Sequence, residues 1–498
     1  MRKELLVNAA PPETRVALTE DGRVVEVLHE RRGRQGLVGN VYLGRVHRVL
    51  PGMQAAFVSI GLDRDAFLYV EDAVPRGEEF DFGDGEEGAV AETPVPPAEP
   101  PRIDDLVREG QEIVVQVTKD PFGGKGPRIT TAVSLPGRTL VYLPGAREVG
   151  VSRRVADEAE RERLRRLLEA FGDGGGFIAR TAALGKSAEE LAPDRASLTD
   201  LAARIVRRRE SSAPPTLLHR ELDLALRSAR DMAPDDCEAI RVDDAATHAR
   251  LKEFLEAVAP SLAGRLELWK GETPLFEALG VESEIENALK SRVALPSGAT
   301  IVIHQTEALV AIDVNTGKFV GQKGLEDTVF ATNIEAAPEV ARQIRLRDLG
   351  GLIVVDFIDM EDAEHRERLL EVFAGELARD RSRTRMLPLS EFGLIEITRQ
   401  RSRGNLERIL TRPCPVCSGS GRVKTDVTAA LALRRSLLRP PNLYGPGDTV
   451  RVRVPPGLAE LLAEDPSLLA DAEATLSLRI ELEVDESASP GTYDILRG

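Results

Sequence analysis

Two carboxylates stand at the ends of strongly apolar runs, in Ala311-Ile312-Asp313-Val314-Asn315 and in Val354-Val355-Asp356-Phe357-Ile358-Asp359. A carboxylate just past a buried strand lies at the C-terminal edge of its sheet, where α/β proteins place their ligands. Two of them side by side repel unless a hard divalent cation lies between. Mg2+ suits oxygen ligands and keeps waters that a substrate phosphate can replace. It can then activate water and stabilise charge on the scissile phosphate. The alternative is that each aspartate only caps the turn or helix that follows.

A second constellation is Cys414-Pro415-Val416-Cys417-Ser418-Gly419-Ser420-Gly421, a CxxC knuckle that reads as a redox pair, half a zinc site or neither. Redox pairs open a helix in a thioredoxin-like unit, whereas here arginines precede the knuckle and Gly-Ser-Gly follows it. Structural zinc takes about four ligands. The third cysteine, Cys237, is 177 residues before Cys414, and no histidine lies within 40 residues of the knuckle. A two-fold dimer would supply the same two thiolates again; a site completed within one chain by Cys237 or a folded-in histidine is the competitor. Third, Phe57 and Phe67 fall on neighbouring strands with Lys119 further on. They form either a stacking platform for single-stranded bases or plain core. Fourth, Arg342, Arg345, Arg347, Arg379, Arg381, Arg383 and Arg385 are either phosphate binders or a solvated helix face. There is no Walker loop, Ser-His-Asp pattern or HExxH motif.

The elements that must position these residues are legible in outline. Short alternating runs fill residues 3–70, with Glu20-Asp21-Gly22 turning a hairpin, and Glu112–Lys119 resumes the pattern; close spacing and Gly-containing turns suggest a small barrel. Ser187-Ala188-Glu189-Glu190 is a capping box opening a helix to about Arg209, and Phe177–Thr181 is a short strand before it. Residues 299–304 and 308–313 are two strands. A helix from about Asp327 to Leu349, closed by Gly350-Gly351, leads to Leu352–Phe357, an apolar run expected to be covered on both faces. That strand-helix-strand crossover brings Asp313 and Asp356 out on one edge. Beyond 425, one strand is expected at Thr449–Val454 and a second with Leu476, Leu478, Ile480, Leu482 and Val484 alternating.

The 498 residues suffice for three or four domains, and a composition 42% apolar and 30% charged is that of a folded globular chain. No run reaches the length of a membrane span, no secretory signal opens the chain, and three cysteines suit a reducing cytoplasm. The net charge of −16 is uneven: residues 71–105 hold twelve acids against two arginines, while 379–412 hold nine arginines against four acids. Local fields, not the average, decide whether a polyanion binds.

Taken together, Ala311–Gly317 (AIDVNTG), Arg342–Met360 (RQIRLRDLGGLIVVDFIDM), Phe392–Arg401 (FGLIEITRQR) and Cys414–Gly421 (CPVCSGSG) closely resemble the ribonuclease E/G family. The likeness runs in order from the first strand to about residue 425. It implies a multidomain α/β and α+β protein: RNase H-like parts at 1–35 and 225–288, an S1-type OB barrel at 36–126 with an acidic insertion at 73–105, and a 5′-sensor at 127–224. A DNase I-like catalytic subdomain would follow at 289–410, then a zinc-link at 411–425 and a small C-terminal domain at 426–498. The implied activity is endonucleolytic cleavage of single-stranded RNA in rRNA maturation and mRNA decay. Asp313 and Asp356 would hold Mg2+ with help from Asn315. Arg180, Thr181 and Arg383 would sense a 5′-monophosphate, and Phe57, Phe67 and Lys119 would grip RNA. The resemblance also implies a zinc shared between protomers, matching Cys414 and Cys417, and hence a homodimer or a dimer of dimers. Without a long disordered scaffolding arm, the chain sits on the side of the family typified by ribonuclease G. A non-catalytic RNA-binding or assembly factor on the same scaffold is the alternative, which intact Asp313, Asn315 and Asp356 disfavour.

Overall fold

The computed structural model describes residues 2–498 except 32–35, 74–100, 122–123, 148, 156, 173–174, 318–323, 391, 401–404, 440–443, 445 and 497–498. The chain divides into two compact units, Met1–Ile409 and Leu410–Gly498.

In the first unit, Glu13–Glu20 and Arg23–Arg31 form the expected hairpin about Asp21 and Gly22, both of which take positive φ, as a tight two-residue turn requires. Lys3–Asn8 lies beside it and pairs in parallel with Ala239–Val242, which pairs in turn with Leu266–Leu268. Helices Leu224–Asp231 and Ala245–Val258 close a core of Leu5, Val7, Val16, Ile240, Leu251 and Leu255. The chain therefore leaves this sheet after Arg31 and re-enters it only at Ala239.

Between those visits it builds two modules. Val41–Leu50, Ala55–Ser59, Ala66–Tyr69, Arg128–Thr130 and Glu112–Lys119 pair in that order, and the last pairs back to the first, closing a five-stranded barrel. Val46, Val58, Leu68, Val115 and Ile129 fill it. Of the acidic insertion, residues 74–100 lie outside the described residues. The second module is a four-stranded sheet, with Gly176–Ala179 beside Leu140–Leu143, backed by helices Glu158–Glu169 and Ala188–Glu210. The Ser187–Glu190 capping box forms, and Asp194 accepts from the backbone of Thr139 (2.7 Å) and Leu140 (2.9 Å). The strand stops at Ala179, so Arg180 lies just past it and Thr181 opens a 3-10 turn.

The remaining sheet has six strands: Arg292–Ala294, Thr300–Gln305, Leu309–Asn315, Gly351–Asp356, Leu394–Arg399 and Thr384–Met386, in that order. Its one parallel pair, Leu309–Asn315 with Gly351–Asp356, is joined by helix Leu325–Leu346. The helix stops short of Leu349 because Asp348 takes a left-handed conformation, and Gly351 already belongs to the strand. The expectation of a strand covered on both faces is wrong. Ile353 and Val355 pack on the helices, but Leu352 is 38% exposed and Asp356 is exposed. Helices Leu325–Leu346 and Ala363–Leu377 cover one face, and the other is open.

The arginine cluster also departs from expectation: three of its members lie in a buried charge knot. Arg345 donates to Glu20 (2.9 Å) and Glu26 (3.4 Å), Arg381 pairs with Glu26, and Arg342 reaches Glu284 (2.7 Å) and the Val24 carbonyl (2.8 Å). Burial opposes the charge on Glu26, but Arg381 and Arg345 outweigh it and hold the carboxyl below its ordinary range. Helix Leu325–Leu346 thus gives Ala337, Val340, Ala341 and Ile344 to the six-stranded sheet and Arg342 and Arg345 to the first hairpin.

The second unit packs helices Asp426–Leu438, Pro456–Glu464 and Ser467–Leu476 on a three-stranded sheet, with Thr449–Val454 between Arg479–Val484 and Asp494–Leu496. Leu476 ends a helix instead of starting a strand, and Leu482 and Val484 are exposed. Among the described residues no helix is long and apolar enough to cross a membrane.

Removing one partner of a buried ion pair strands the other charge at about 3 kcal/mol. Glu26→Gln should therefore lower the midpoint of urea unfolding clearly, whereas Arg2→Ala, which opens a solvent-exposed pair with Glu238, should leave it in place.

Candidate active site and nucleic-acid interface

On the open face of the six-stranded sheet, parallel pairing puts Asp313 directly beside Asp356. Alternation explains the arrangement: Val310, Ile312 and Val314 point into the core, so Ala311, Asp313 and Asn315 point out. Asn315 Nδ2 donates to Asp313 Oδ2 at 2.7 Å and fixes that carboxylate. Burial first, then the neighbouring charges of Asp313 and Asp359, push the Asp356 carboxyl above its ordinary range. The loop carrying Asp359 is pinned by the fully buried Asn333, which donates to the Ile358 carbonyl (2.7 Å) and accepts from the Ile358 N–H (3.1 Å). Asn333 escaped the sequence reading; its only signal is an amide in the middle of an apolar helix face. Gly317, just past Asn315, has φ +59, and a Cβ there would stand 2.5 Å from the Gly298 carbonyl oxygen, so only glycine fits. Among the described residues no three His, Cys, Asp or Glu side chains converge as a metal cage. The donors here are two hard carboxylates and an amide.

Phe57 and Phe67 are partners across two barrel strands, with ring centroids 5.7 Å apart and edge to face. They are half-exposed on the outer wall, opposite the apolar filling, and so are not core. Tyr69 stacks beside Phe67 at 6.5 Å. Register then extends the row in both directions: Arg48 lies opposite Phe57, Arg128 beside Phe67, and Lys119 opposite Arg128. The result is a rung of cation, two aromatics and two cations, with Arg128 also bound to Asp72 at 2.6 Å. Arg48 and Arg128 were missed because a bulge after Val46 sets the register of Arg48 against Phe57, and Arg128 meets Phe67 by parallel pairing of strands far apart in sequence.

Arg180 Nη1 donates to the Gly137 carbonyl and to Asp231 Oδ1 (2.8 Å). Burial works against the charge of Asp231, but Arg230 and Arg180 prevail and hold it below the ordinary carboxylate range. Thr181 next to it is exposed. The loop leading to Arg383 is anchored here too: Arg381 donates to the Asp231 carbonyl (3.1 Å), and Arg154 donates to the Arg381 carbonyl. Arg383 itself is exposed.

In the second unit the knuckle turns through Ser418, Gly419 and Gly421, all with positive φ, and the Gly421 N–H donates to Cys417 Sγ at 3.3 Å. N–H donation from Gly421 and then Gly419 holds the Cys417 thiol below its ordinary value. Cys237 is sealed in a core, its sulfur donating to the Ala239 carbonyl, and is no candidate ligand.

A profile of the ribonuclease E/G family matches residues 134–402. The chain is 42% identical to ribonuclease G of Escherichia coli (strain K12) over 498 residues, all of both chains. It is 42% identical to ribonuclease G of Haemophilus influenzae over 99% of both. With ribonuclease E of Escherichia coli (strain K12) identity is 35%, over 99% of this chain and 46% of that one. Asp313, Asn315 and Asp356 fall within the matched span, and the chain belongs to the ribonuclease E/G family.

Proposed function

We propose that the protein is an endoribonuclease that hydrolyses phosphodiester bonds of single-stranded RNA with Mg2+, senses a 5′-monophosphate end, and acts in the cytoplasm in rRNA maturation and mRNA decay. The observation that carries this reading is the pair Asp313 and Asp356 on the open face of a sheet. The donor set of two carboxylates and an amide leaves coordination positions for water and phosphate oxygen, which suits Mg2+ better than an ion that wants a full protein cage. When bound, Mg2+ neutralises charge on the scissile phosphate and acidifies a water. Asp313 and Asp356 hold it from adjacent strands, and Asn315 keeps the Asp313 carboxylate turned towards the open face. Asn333 fixes the loop that follows Asp356, so the two carboxylates keep their spacing without a ligand. The barrel rung of Arg48, Phe57, Phe67, Arg128 and Lys119 offers stacking and phosphate contacts to an unpaired strand, whose bases have free faces.

For the 5′ end, the two bonds of Arg180 use Nη1, so Nε and Nη2 remain to meet a terminal phosphate beside the Thr181 hydroxyl. Arg383 approaches on the loop anchored at Asp231. A triphosphate is bulkier and more highly charged than a monophosphate, so this small set of donors favours the monophosphate. In the second unit, Cys414 and Cys417 form a half-site for zinc, and a second copy of the chain completes the four thiolates.

Three outcomes are expected. Asp356→Asn should slow cleavage of a fluorescent single-stranded oligonucleotide about a thousandfold, the loss of several kcal/mol of charge stabilisation. Its affinity by anisotropy should stay within a few-fold, and EDTA should stop the unmodified enzyme. Full activity of the variant would remove the carboxylates from the mechanism. Arg180→Ala should erase a roughly tenfold preference for 5′-monophosphorylated over 5′-triphosphorylated RNA, the worth of one charge-assisted bond; equal rates on both ends in the unmodified enzyme would refute sensing. Metal analysis should find one zinc per two chains, and Cys414→Ser with Cys417→Ser should release it and yield monomers in sedimentation. One zinc per chain would mean an intrachain site.

A further inference from the structure

Strand register extends the carboxylate pair into a row across the open face of the sheet. Arg292 lies opposite Val302, Val302 opposite Asp313, Asp313 beside Asp356, and Asp356 opposite Leu394. All five point the same way, because their neighbours Val293, Ile301, Ile312, Val355 and Ile395 face the core. Arg292 is exposed and has no ion-pair partner among the described residues. At the far end, two residues before Leu394, stands Phe392, 85% exposed and the most exposed large apolar side chain among the described residues. It belongs beside the carboxylates: the adjoining Gly393, at φ +75, leaves only 2.9 Å between an ideal Cβ and Asp359 Oδ1, and Asp359 is one of the charges that Asp356 feels.

We propose that this row is the track on which the RNA strand crosses the active site, with Arg292 gripping a backbone phosphate on one side of the scissile linkage and Phe392 stacking on a base at the other. The assignment rests on the endoribonuclease reading above and adds two substrate-positioning residues to it. Adjacent strands are about 4.8 Å apart, so Arg292 stands roughly 10 Å from Asp313, within reach of a neighbouring phosphate for a long side chain. A guanidinium suits phosphate oxygens, and at that distance it does not neutralise the carboxylates. A fully exposed phenylalanine is poorly placed in water unless something apolar covers it, and a nucleobase beside an RNA-cleaving centre does so without demanding a particular sequence. Leu352 and Val354 line the same face and give the strand an apolar floor.

The test uses the full chain and a fluorescent single-stranded oligonucleotide. Binding is read by anisotropy on the Asp356→Asn background, and cleavage is read with Mg2+ on the active enzyme. Phe392→Ala should raise Kd and KM about tenfold, and Phe392→Trp should restore both. Arg292→Ala should weaken binding severalfold and reduce the slope of log Kd against log salt by about 0.7, the share of one phosphate contact on a single strand. Because both side chains are exposed, the variants should unfold at the same midpoint as the parent. Unchanged Kd, KM and salt slope in both variants, with Asp356→Asn inactive, would overturn the track and leave the endoribonuclease standing. If Phe392→Ala lowers self-association in sedimentation while Kd per protomer is unchanged, a second chain covers the ring and the stacking role fails. If the unmodified enzyme cuts nothing with Mg2+, the reading on which the track rests fails first.

Discussion

The first unit depends on a single constraint: carboxylates from the first hairpin must meet arginines from helix Leu325–Leu346 and from the loop at Arg381 in a largely buried place. Glu26 is shared between Arg345 and Arg381, Glu20 is held by Arg345, and Arg399 bridges Asp380 and Asp348 nearby. Such groups are costly to bury and worth keeping only if every partner is in place. The knot therefore acts as a register pin. It sets how the helix between Asp313 and Asp356 lies on the first sheet, and through Arg381 and Asp231 it ties the loop towards Arg383 to Arg180. That chain of pairs runs unbroken from Arg180 to the helix between Asp313 and Asp356.

The second governing feature is a sheet with one dry side. Covering both faces would have stabilised the strands further, yet it would have buried Asp313 and Asp356 where an ionised pair cannot persist. An open face leaves both carboxylates in contact with solvent while parallel pairing keeps them side by side. Rigidity then comes from behind, through the packed helices and the Asn333 clamp. Asp313 and Asp356 stand on strands and not on loops, which holds their spacing.

How much of this was legible in the sequence follows from which contacts are local. Short apolar runs gave away the strands around Asp313 and Asp356, Asp21-Gly22 announced its hairpin, and Ser187 with Glu190 marked a helix start, because each signal lies within a few residues. One-sided coverage was not legible, since Leu352-Ile353-Val354-Val355 reads alike whether one face or both are dry. Arg345 looked like part of a solvated or phosphate-binding face because Glu20 and Glu26, its partners, stand more than three hundred residues away. Lys119 was legible beside Phe57 and Phe67, but Arg48 was hidden by a bulge and Arg128 by parallel pairing of strands far apart in sequence.

The path of the chain through its first sheet has a consequence for how the protein is made. Leu5 pairs with Ile240, and the barrel and the four-stranded module both lie between them in the chain. At ~5–20 residues per second on the ribosome, the first strand waits roughly 10 to 50 s for its parallel neighbour to emerge. During that interval the hairpin has an unpaired edge, while the barrel and the following module, each with its own core, can collapse behind it. The opening strands are thus early in the sequence and late in folding. Nascent chains stalled before residue 239 would carry that exposed edge as their most aggregation-prone feature.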